Sequence, residues 1–163
     1  METDQYIFFF GSTKTKYKVF SQWYPCTFVD ELGLEYANCE QYMMVNKAML
    51  FNDPDSVVKI MAITNPKSIK MLGRKIVNFD PDIWNDNKFD IVIEGNRLKF
   101  TQNQELMKIL LSTGDKTIVE ASPYDKIWGI GLSAEKACKI PEKKWPGQNL
   151  LGKALEIVRS ENI

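Results

Sequence analysis

Asn38-Cys39-Glu40-Gln41-Tyr42-Met43-Met44-Val45-Asn46-Lys47-Ala48-Met49-Leu50-Phe51 is the run from which the architecture reads outward. Asn38 is a good N-cap, because its side-chain oxygen can accept an orphan N–H of a first helical turn. Gln41, three positions on, completes a capping-box pattern. The residues that follow are good helix formers with no Gly or Pro, which predicts a helix from Cys39 to about Phe51. Upstream, Cys26–Asp30 and Leu34–Asn38 flank Glu31-Leu32-Gly33 and read as a hairpin in which Gly33 supplies a positive φ. Tyr6 to Phe10 is a compact aromatic strand ending at Gly11, and Ser12 to Lys18 reads as a polar, lysine-rich loop.

Downstream, Asp53-Pro54, Asn65-Pro66 and Asp80-Pro81 each set a capping side chain before a proline at the first helical position. Two short helices should result, the second ending at Gly73, and then a longer one through Trp84 and Phe89 towards Phe100, weakened by Gly95. Gln104 to Ser112 is an apolar-striped helix closed by Gly114, and Thr117 to Ala121 is a short β-branched strand. Ser122 to Leu132 is turn-rich, and Ser133 to Lys139 is one more short helix. Gly147 to Ser160 is the C-terminal helix, burying Leu150, Leu151, Ala154, Leu155 and Val158. The fold class expected is α+β: a mostly helical single domain spanning 1–163, with a small N-terminal antiparallel sheet.

Composition narrows the function. The 163 residues, 44% hydrophobic and 26% charged, suit one domain and are too apolar and aromatic for disorder. Twenty-one basic residues balance twenty-one acidic ones, so no global field recruits polyanions. Histidine is absent, which removes Ser-His-Asp and Cys-His nucleophile systems, histidine metal sites and imidazole proton shuttles. Proton transfer must then fall to Asp, Glu, Lys, Tyr or Cys. Cys26, Cys39 and Cys138 are scattered, with no C-x-x-C pair, and read as buried small hydrophobes in a reducing compartment. The first residues lack the basic region of a signal peptide, and no stretch approaches the ~18–20 apolar residues of a membrane span. The expectation is an intracellular, cytoplasmic protein with no membrane partner.

Three segments can carry chemistry. Seven residues at ~100° each bring Glu40 and Lys47 within about 20° of one helix face, about 10 Å apart along the axis. They could meet a ligand across that face, although charged pairs more often line the wet side of an amphipathic helix. Tyr124-Asp125-Lys126-Ile127-Trp128-Gly129-Ile130-Gly131 sets an acid, an indole and two glycines in one non-helical stretch. Glycine lets backbone approach a ligand, and Trp offers a stacking surface; alternatively, Trp128 plugs the core and Asp125 caps a local turn. Trp23, Trp84 and Trp145 are core residues or an aromatic wall for a nucleobase, and Arg74 beside Gly73 pairs on the surface or forks onto phosphate. There is no P-loop or G-x-G-x-x-G string. From the residues alone, the reading stops at a nucleotide-sized ligand site.

An ordered series of motifs takes it further. It runs S-x-W-Y-P at 21–25, E-Q-Y-M-M-x-x-K-A at 40–48, L-G-R at 72–74, F-D-x-x-x-W at 79–84 and K-F-x-Q-N at 99–103. It continues with L-L-x-T-G at 110–114, V-E-A-S-x-x-D-x-I-W-G-I-G-L at 119–132 and W-x-G-x-N-x-L-G at 145–152. This series resembles the NADAR family, also called YbiA-like, over nearly the whole chain. The resemblance implies an N-glycosidase that hydrolyses the bond between ribose C1 and a nitrogen. Known members act on early riboflavin-pathway ribosylamino phosphates, and others remove ADP-ribose from guanine in DNA. By motif position, Glu40, Lys47 and Asp125 become the candidate catalytic set. Trp23, Arg74, Trp84, Trp128, Gly129 and Asn149 become candidate substrate-binding residues. Gln41 departs from the pattern, since many relatives have His there, so this position is not an obligatory proton carrier.

Two routes fit these residues. Either Asp125 or Glu40 activates water against C1 while the indoles hold base and ribose, or Lys47, its pKa lowered by burial, forms an imine with C1 of the opened ribose. The second is preferred, because Glu40 on the same helical face can take the proton that the amine loses. Both routes expect the Lys47 amine and the Asp125 carboxyl to converge on one sugar-sized cleft. No cofactor or metal is implied, so activity should resist chelation. The expected partners are a ribosylamino phosphate or ADP-ribose-like small molecule, or ADP-ribosylated DNA. The alternative is a module that binds ADP-ribose or another nucleotide without cleaving it. Protein partners are not indicated.

Overall fold

The computed structural model describes residues 1–11 and 14–163. In chain order its elements are β1 (Tyr6–Phe9), a 3-10 helix (Lys16–Phe20), β2 (Phe28–Val29), β3 (Glu35–Tyr36), α1 (Cys39–Leu50), α2 (Pro54–Met61), α3 (Pro66–Gly73) and α4 (Pro81–Thr101). They continue with α5 (Gln104–Leu111), β4 (Thr117–Glu120), α6 (Ala134–Ala137), a second 3-10 helix (Glu142–Lys144) and α7 (Leu150–Ser160). The fold is α+β and mostly helical. The chain forms two compact units: residues Gln22–Asn103, and residues Met1–Ser21 with Gln104–Ile163.

In the unit Gln22–Asn103, β2 and β3 form the antiparallel hairpin, with Gly33 at φ +80°. Asn38 caps α1 as its sequence demands, accepting from Gln41 N at 2.9 Å. The Gln41 side chain turns back to accept from Ala37 N at 2.8 Å, one residue before the capping-box partner. Its amide then donates to Ile60 O and Ile63 O at the end of α2. Helices α2, α3 and α4 all pack on α1, whose first two turns are buried almost all round. Asp53, Asn65 and Asp80 cap the three proline-led helices, each accepting backbone N–H bonds from the first turn. Gly95 does not interrupt α4; a Cβ there would lie 2.6 Å from the Tyr42 ring, so the missing side chain is what lets α4 approach α1.

In the other unit, β1 pairs with β4 in parallel, Tyr6 opposite Thr117 through Phe9 opposite Glu120. This pair lies beyond the antiparallel sheet expected from sequence. Ile7, Phe8 and Phe9 are all buried, the near-continuous apolar run of a strand covered on both faces. Helix α7 packs on β4 with Leu151, Ala154, Leu155 and Val158 buried, whereas Leu150 is only half-buried. Trp145 is half-buried and packs against the core here, its ring against Tyr6 and Phe8 and its N–H donating to Ala137 O at 3.2 Å. The expected loop from Ser12 to Lys18 is corrected in its second half, where a 3-10 helix buries Tyr17, Val19 and Phe20; Ser12 and Thr13 lie outside the described residues.

The cysteines divide. Cys39 is buried, and burial pushes its thiol pKa up to about 12. Cys26 is half-buried, and Cys138 is exposed rather than buried. No helix among the described residues is long and apolar enough to cross a membrane.

Candidate active site

The candidate residues fall into a cluster within each unit. In Gln22–Asn103 the centre is α1. Glu40 is not on a wet face: it is only 5% exposed, at the second position of the helix, where the N-terminal dipole favours a carboxylate. The Trp23 indole donates to Glu40 Oε2 at 3.3 Å, and the Glu40 amide donates to Gln22 O at 3.1 Å. Trp23 is thus brought to Glu40, with 42% of its own surface exposed for contact. Asn96, fully buried on α4, donates to Gln22 Oε1 at 2.9 Å and so secures the segment that carries Trp23.

Two turns along the same helix, Lys47 is half-buried. Its Nζ donates to Gly73 O at 3.0 Å and lies over two aromatic rings, 4.4 Å from the Phe79 centroid and 5.3 Å from that of Trp84. The carbonyl at the end of α3 and the ring faces suit a cation. Burial opposes them and lowers the ammonium's pKa from the ordinary lysine range. The amine is fixed in position and easier to deprotonate than a surface lysine. Phe79 is braced edge-on by buried Phe51 at 5.3 Å. Arg74 is exposed and forms the C-cap of α3, directly after the carbonyl that holds Lys47.

In the other unit the candidate residues lie on the stretch after β4. Asp125 Oδ1 accepts from Ile127 N and Trp128 N, both at 2.8 Å, so the carboxylate closes its own turn through one oxygen. Trp128 is half-buried and Gly129 buried. A Cβ on Gly129 would lie 2.8 Å from Glu120 O and 3.1 Å from Asp125 O, so the glycine is needed for the loop to fold against β4. Asn149 is 8% exposed and takes the left-handed conformation at φ +54°. Its Oδ1 accepts from Glu120 N at 3.0 Å and its Nδ2 donates to Ile118 O at 2.8 Å. Its backbone N–H donates to Gly129 O at 3.2 Å, tying the start of α7 to the Asp125 loop. The Asn149 side-chain amide thus clasps β4, while its backbone N–H holds the loop.

The structure brings together Trp23 with Glu40, Lys47 with Trp84, and Asp125, Trp128 and Gly129 with Asn149. Sequence reasoning did not single out Phe79 or the Gly73 carbonyl as Lys47 partners, nor Gln22 and Asn96 behind Trp23. The signal for Phe79 was its place in F-D-x-x-x-W. Among the described residues, no group of three or more Cys, Asp or Glu side chains is placed to hold a metal ion.

With this geometry in hand, known proteins sharpen the assignment. The family model described as the NADAR domain matches residues 8–161, across both units. The chain is 57% identical over 168 residues to an N-glycosidase of Acanthamoeba polyphaga mimivirus, covering 99% of each. It is 32% identical to a chloroplastic riboflavin biosynthesis protein of Arabidopsis thaliana, over 67% of this chain and 17% of that larger one. Among solved structures, the NMR structure of the E. coli protein YbiA matches with a TM-score of 0.78 at 25% identity, covering 99% of this chain and 86% of that one. Motif order, fold and relatives agree: the chain belongs to the NADAR family.

Proposed function

We propose that the N-glycosyl bond this enzyme hydrolyses joins ribose C1 to the nitrogen of an N-ribosylated base, and that Lys47 carries the reaction as an imine. The enzyme is a hydrolase of N-glycosyl bonds. The difficulty in such a bond is that C1 becomes cationic and the nitrogen leaves poorly. An amine meets both demands once the ribose ring opens. The C1–O4 bond breaks and the ring oxygen takes a proton, leaving C1 doubly bonded to the base nitrogen. Neutral Lys47 Nζ adds to C1, the C1–base bond breaks with a proton passing to the departing nitrogen, and an imine to Nζ remains. Water adds to C1, the C1–Nζ bond breaks, and the aldehyde closes back to ribose.

The observation that carries this reading is the setting of Lys47: half-buried, held by Gly73 O, Phe79 and Trp84, with its pKa lowered by burial. Glu40, buried on the same helix, is the candidate acceptor of the amine's proton, and Trp23 orients it. In the other unit Asp125 is the candidate acid–base carboxylate, held by the turn that it closes. In the unit Gln22–Asn103, Trp84 and Arg74 are proposed to hold base or ribose and phosphate, and Trp128 is a candidate stacking residue of its own unit.

Two substrate classes share this ribose C1–nitrogen bond: ADP-ribosyl-guanine in DNA and the ribosylamino phosphate intermediates of the riboflavin pathway. The second is favoured by the name of the Arabidopsis relative. The experiment is to incubate the purified chain with an oligonucleotide carrying ADP-ribosylated guanine and, separately, with the riboflavin intermediates, and to identify products by mass spectrometry. Release of free ADP-ribose with restored guanine, or of ribose 5-phosphate with the freed base, supports the reading and names the substrate. Tight binding of ADP-ribose with no product from either would leave a binding module in place of an enzyme.

A further inference from the structure

Phe79 keeps 45% of its surface exposed, and its ring touches a charge. Lys47 Nζ lies 4.4 Å from its centroid, nearer than the 5.3 Å to Trp84, and all three residues belong to the unit Gln22–Asn103. The backbone beneath the ring is fixed from both sides. Asn78 takes the left-handed conformation at φ +57°, with its Nδ2 donating to Phe51 O at 3.4 Å, and Asp80 caps α4 by accepting from Asp82 N and Ile83 N. The charged groups on the elements packed around Lys47 are Glu40 on α1, Lys70 and Arg74 at the end of α3, and Asp80 and Asp82 at the start of α4. Among the described residues none of these forms an ion pair with Lys47. Positive charge at Nζ is met instead by the Gly73 carbonyl and the faces of two rings.

We propose that Phe79 is a further catalytic residue of the reaction at Lys47, its ring face holding the positive charge of the iminium that joins C1 to Nζ. The inference rests on the imine reading and deepens it. Counting protons locates the charge. The ammonium gives one proton to Glu40, the candidate acceptor, and the neutral amine adds to C1. Nζ gives a second hydrogen to the departing nitrogen, which also takes the proton held by Glu40, and the electrons of the C1–base bond leave with the base. One hydrogen stays on Nζ, as C1=N⁺H. It suffices for the bond to Gly73 O, now 3.0 Å long, and the flat iminium presents a face to the ring. The ring thus stabilises the cation before attack and the cation after it, but not the neutral amine between them. It hinders loss of the ammonium's proton and favours the step from neutral amine to iminium. Below the amine's titration midpoint the two effects cancel, and above it only the second remains.

The test replaces Phe79 in the full chain by mono-, di- and trifluorinated phenylalanine, which keep the ring's shape while draining negative charge from its face, and adds Phe79→Leu. The probe is ribose 5-phosphate, whose open form is the aldehyde of the proposed intermediate. It is captured on Lys47 with cyanoborohydride and the peptide is weighed, with Lys47→Ala as the blank. The Lys47 amine is titrated in the same proteins by carbon NMR at Cε. Along the fluorinated series the midpoint should fall stepwise by about 0.4–0.7 pH units in all. Capture above the midpoint should fall by the same factor, about 2- to 5-fold, and stay within about 1.5-fold below it. Phe79→Leu should match the trifluorinated ring. A fixed midpoint, or capture unchanged along the series, overturns the proposal. So does capture lowered equally at every pH, which marks the ring as packing only. Base release from N-ribosides is measured in parallel. Base released by wild type with no adduct on Lys47 removes the imine reading and the role of Phe79 with it. Ring-dependent capture without base release from any N-riboside leaves Phe79 in its role and removes the N-glycosidase reading instead.

Discussion

Replacing Asn149 by alanine separates a ligand contact from a structural clasp. In the structure the side chain satisfies Glu120 N and Ile118 O, two backbone groups of β4. Alanine strands both, and an unsatisfied buried polar group costs about 1–3 kcal/mol. The residue also sits at φ +54°, which asparagine tolerates and alanine occupies at a cost of about 1 kcal/mol. Water reaching one stranded group would offset part of the loss, so the net expectation is about 3–5 kcal/mol. For a chain of this length that lowers the melting temperature by about 6–20 °C. Asn149→Asp should also destabilise, because it keeps the acceptor for Glu120 N but sets a carboxylate against the Ile118 carbonyl. The assays are urea unfolding and scanning calorimetry, with KM measured on the folded fraction. A melting temperature within about 2 °C of wild type together with a large rise in KM would refute the clasp and put the amide on substrate.

Three further outcomes follow from the same geometry. Since burial lowers the Lys47 pKa, the pH at which borohydride trapping is half-maximal should fall below the ~10.4 of a free lysine. By linkage, the unfolded chain binds more protons in the window between the folded and unfolded pKa values. Stability from this group thus rises with pH across that window, and the burial penalty is fully present below the folded value, as urea unfolding at several pH values would show. Gly129→Ala should cost about 1–3 kcal/mol and slow turnover as the Asp125 turn is pushed off β4, read by thermal melts and single-turnover kinetics. Gln41→Ala strands Ala37 N, Ile60 O and Ile63 O, so it should cost about 2–4 kcal/mol while turnover per folded molecule stays within about twofold; a hundredfold drop in turnover at unchanged stability would make Gln41 a participant in the reaction.

The helices were legible because their ends are local chemistry. Asn38 caps α1 as its side chain indicates, and Asp53, Asn65 and Asp80 cap the helices that their following prolines begin. The β1–β4 pair was not legible, because nothing local in a four-residue strand names a partner more than a hundred residues away. Only the lack of alternation in Ile7-Phe8-Phe9 hinted at a strand covered on both faces. The site divides along the same line. Asp125 closing its own turn is a short-range pattern and was foreseen as an alternative. The burial of Glu40 was not, since periodicity gives the face of a helix and not how many neighbours surround it. Three helices packing on α1 leave no wet side at its start. The Phe79 ring over Lys47 depends on where α3 and α4 meet α1, which no single stretch encodes.

The imine at Lys47 is tested most directly by chemical capture. The full chain is incubated with an N-riboside substrate in the presence of borohydride, digested, and the peptides weighed by mass spectrometry. The account predicts a reduced ribosyl adduct on the peptide containing Lys47, absent from Lys47→Ala, which also loses base release. Unmodified Lys47 peptide during active turnover, with Lys47→Ala still releasing base, would contradict it and return the reaction to direct attack by water.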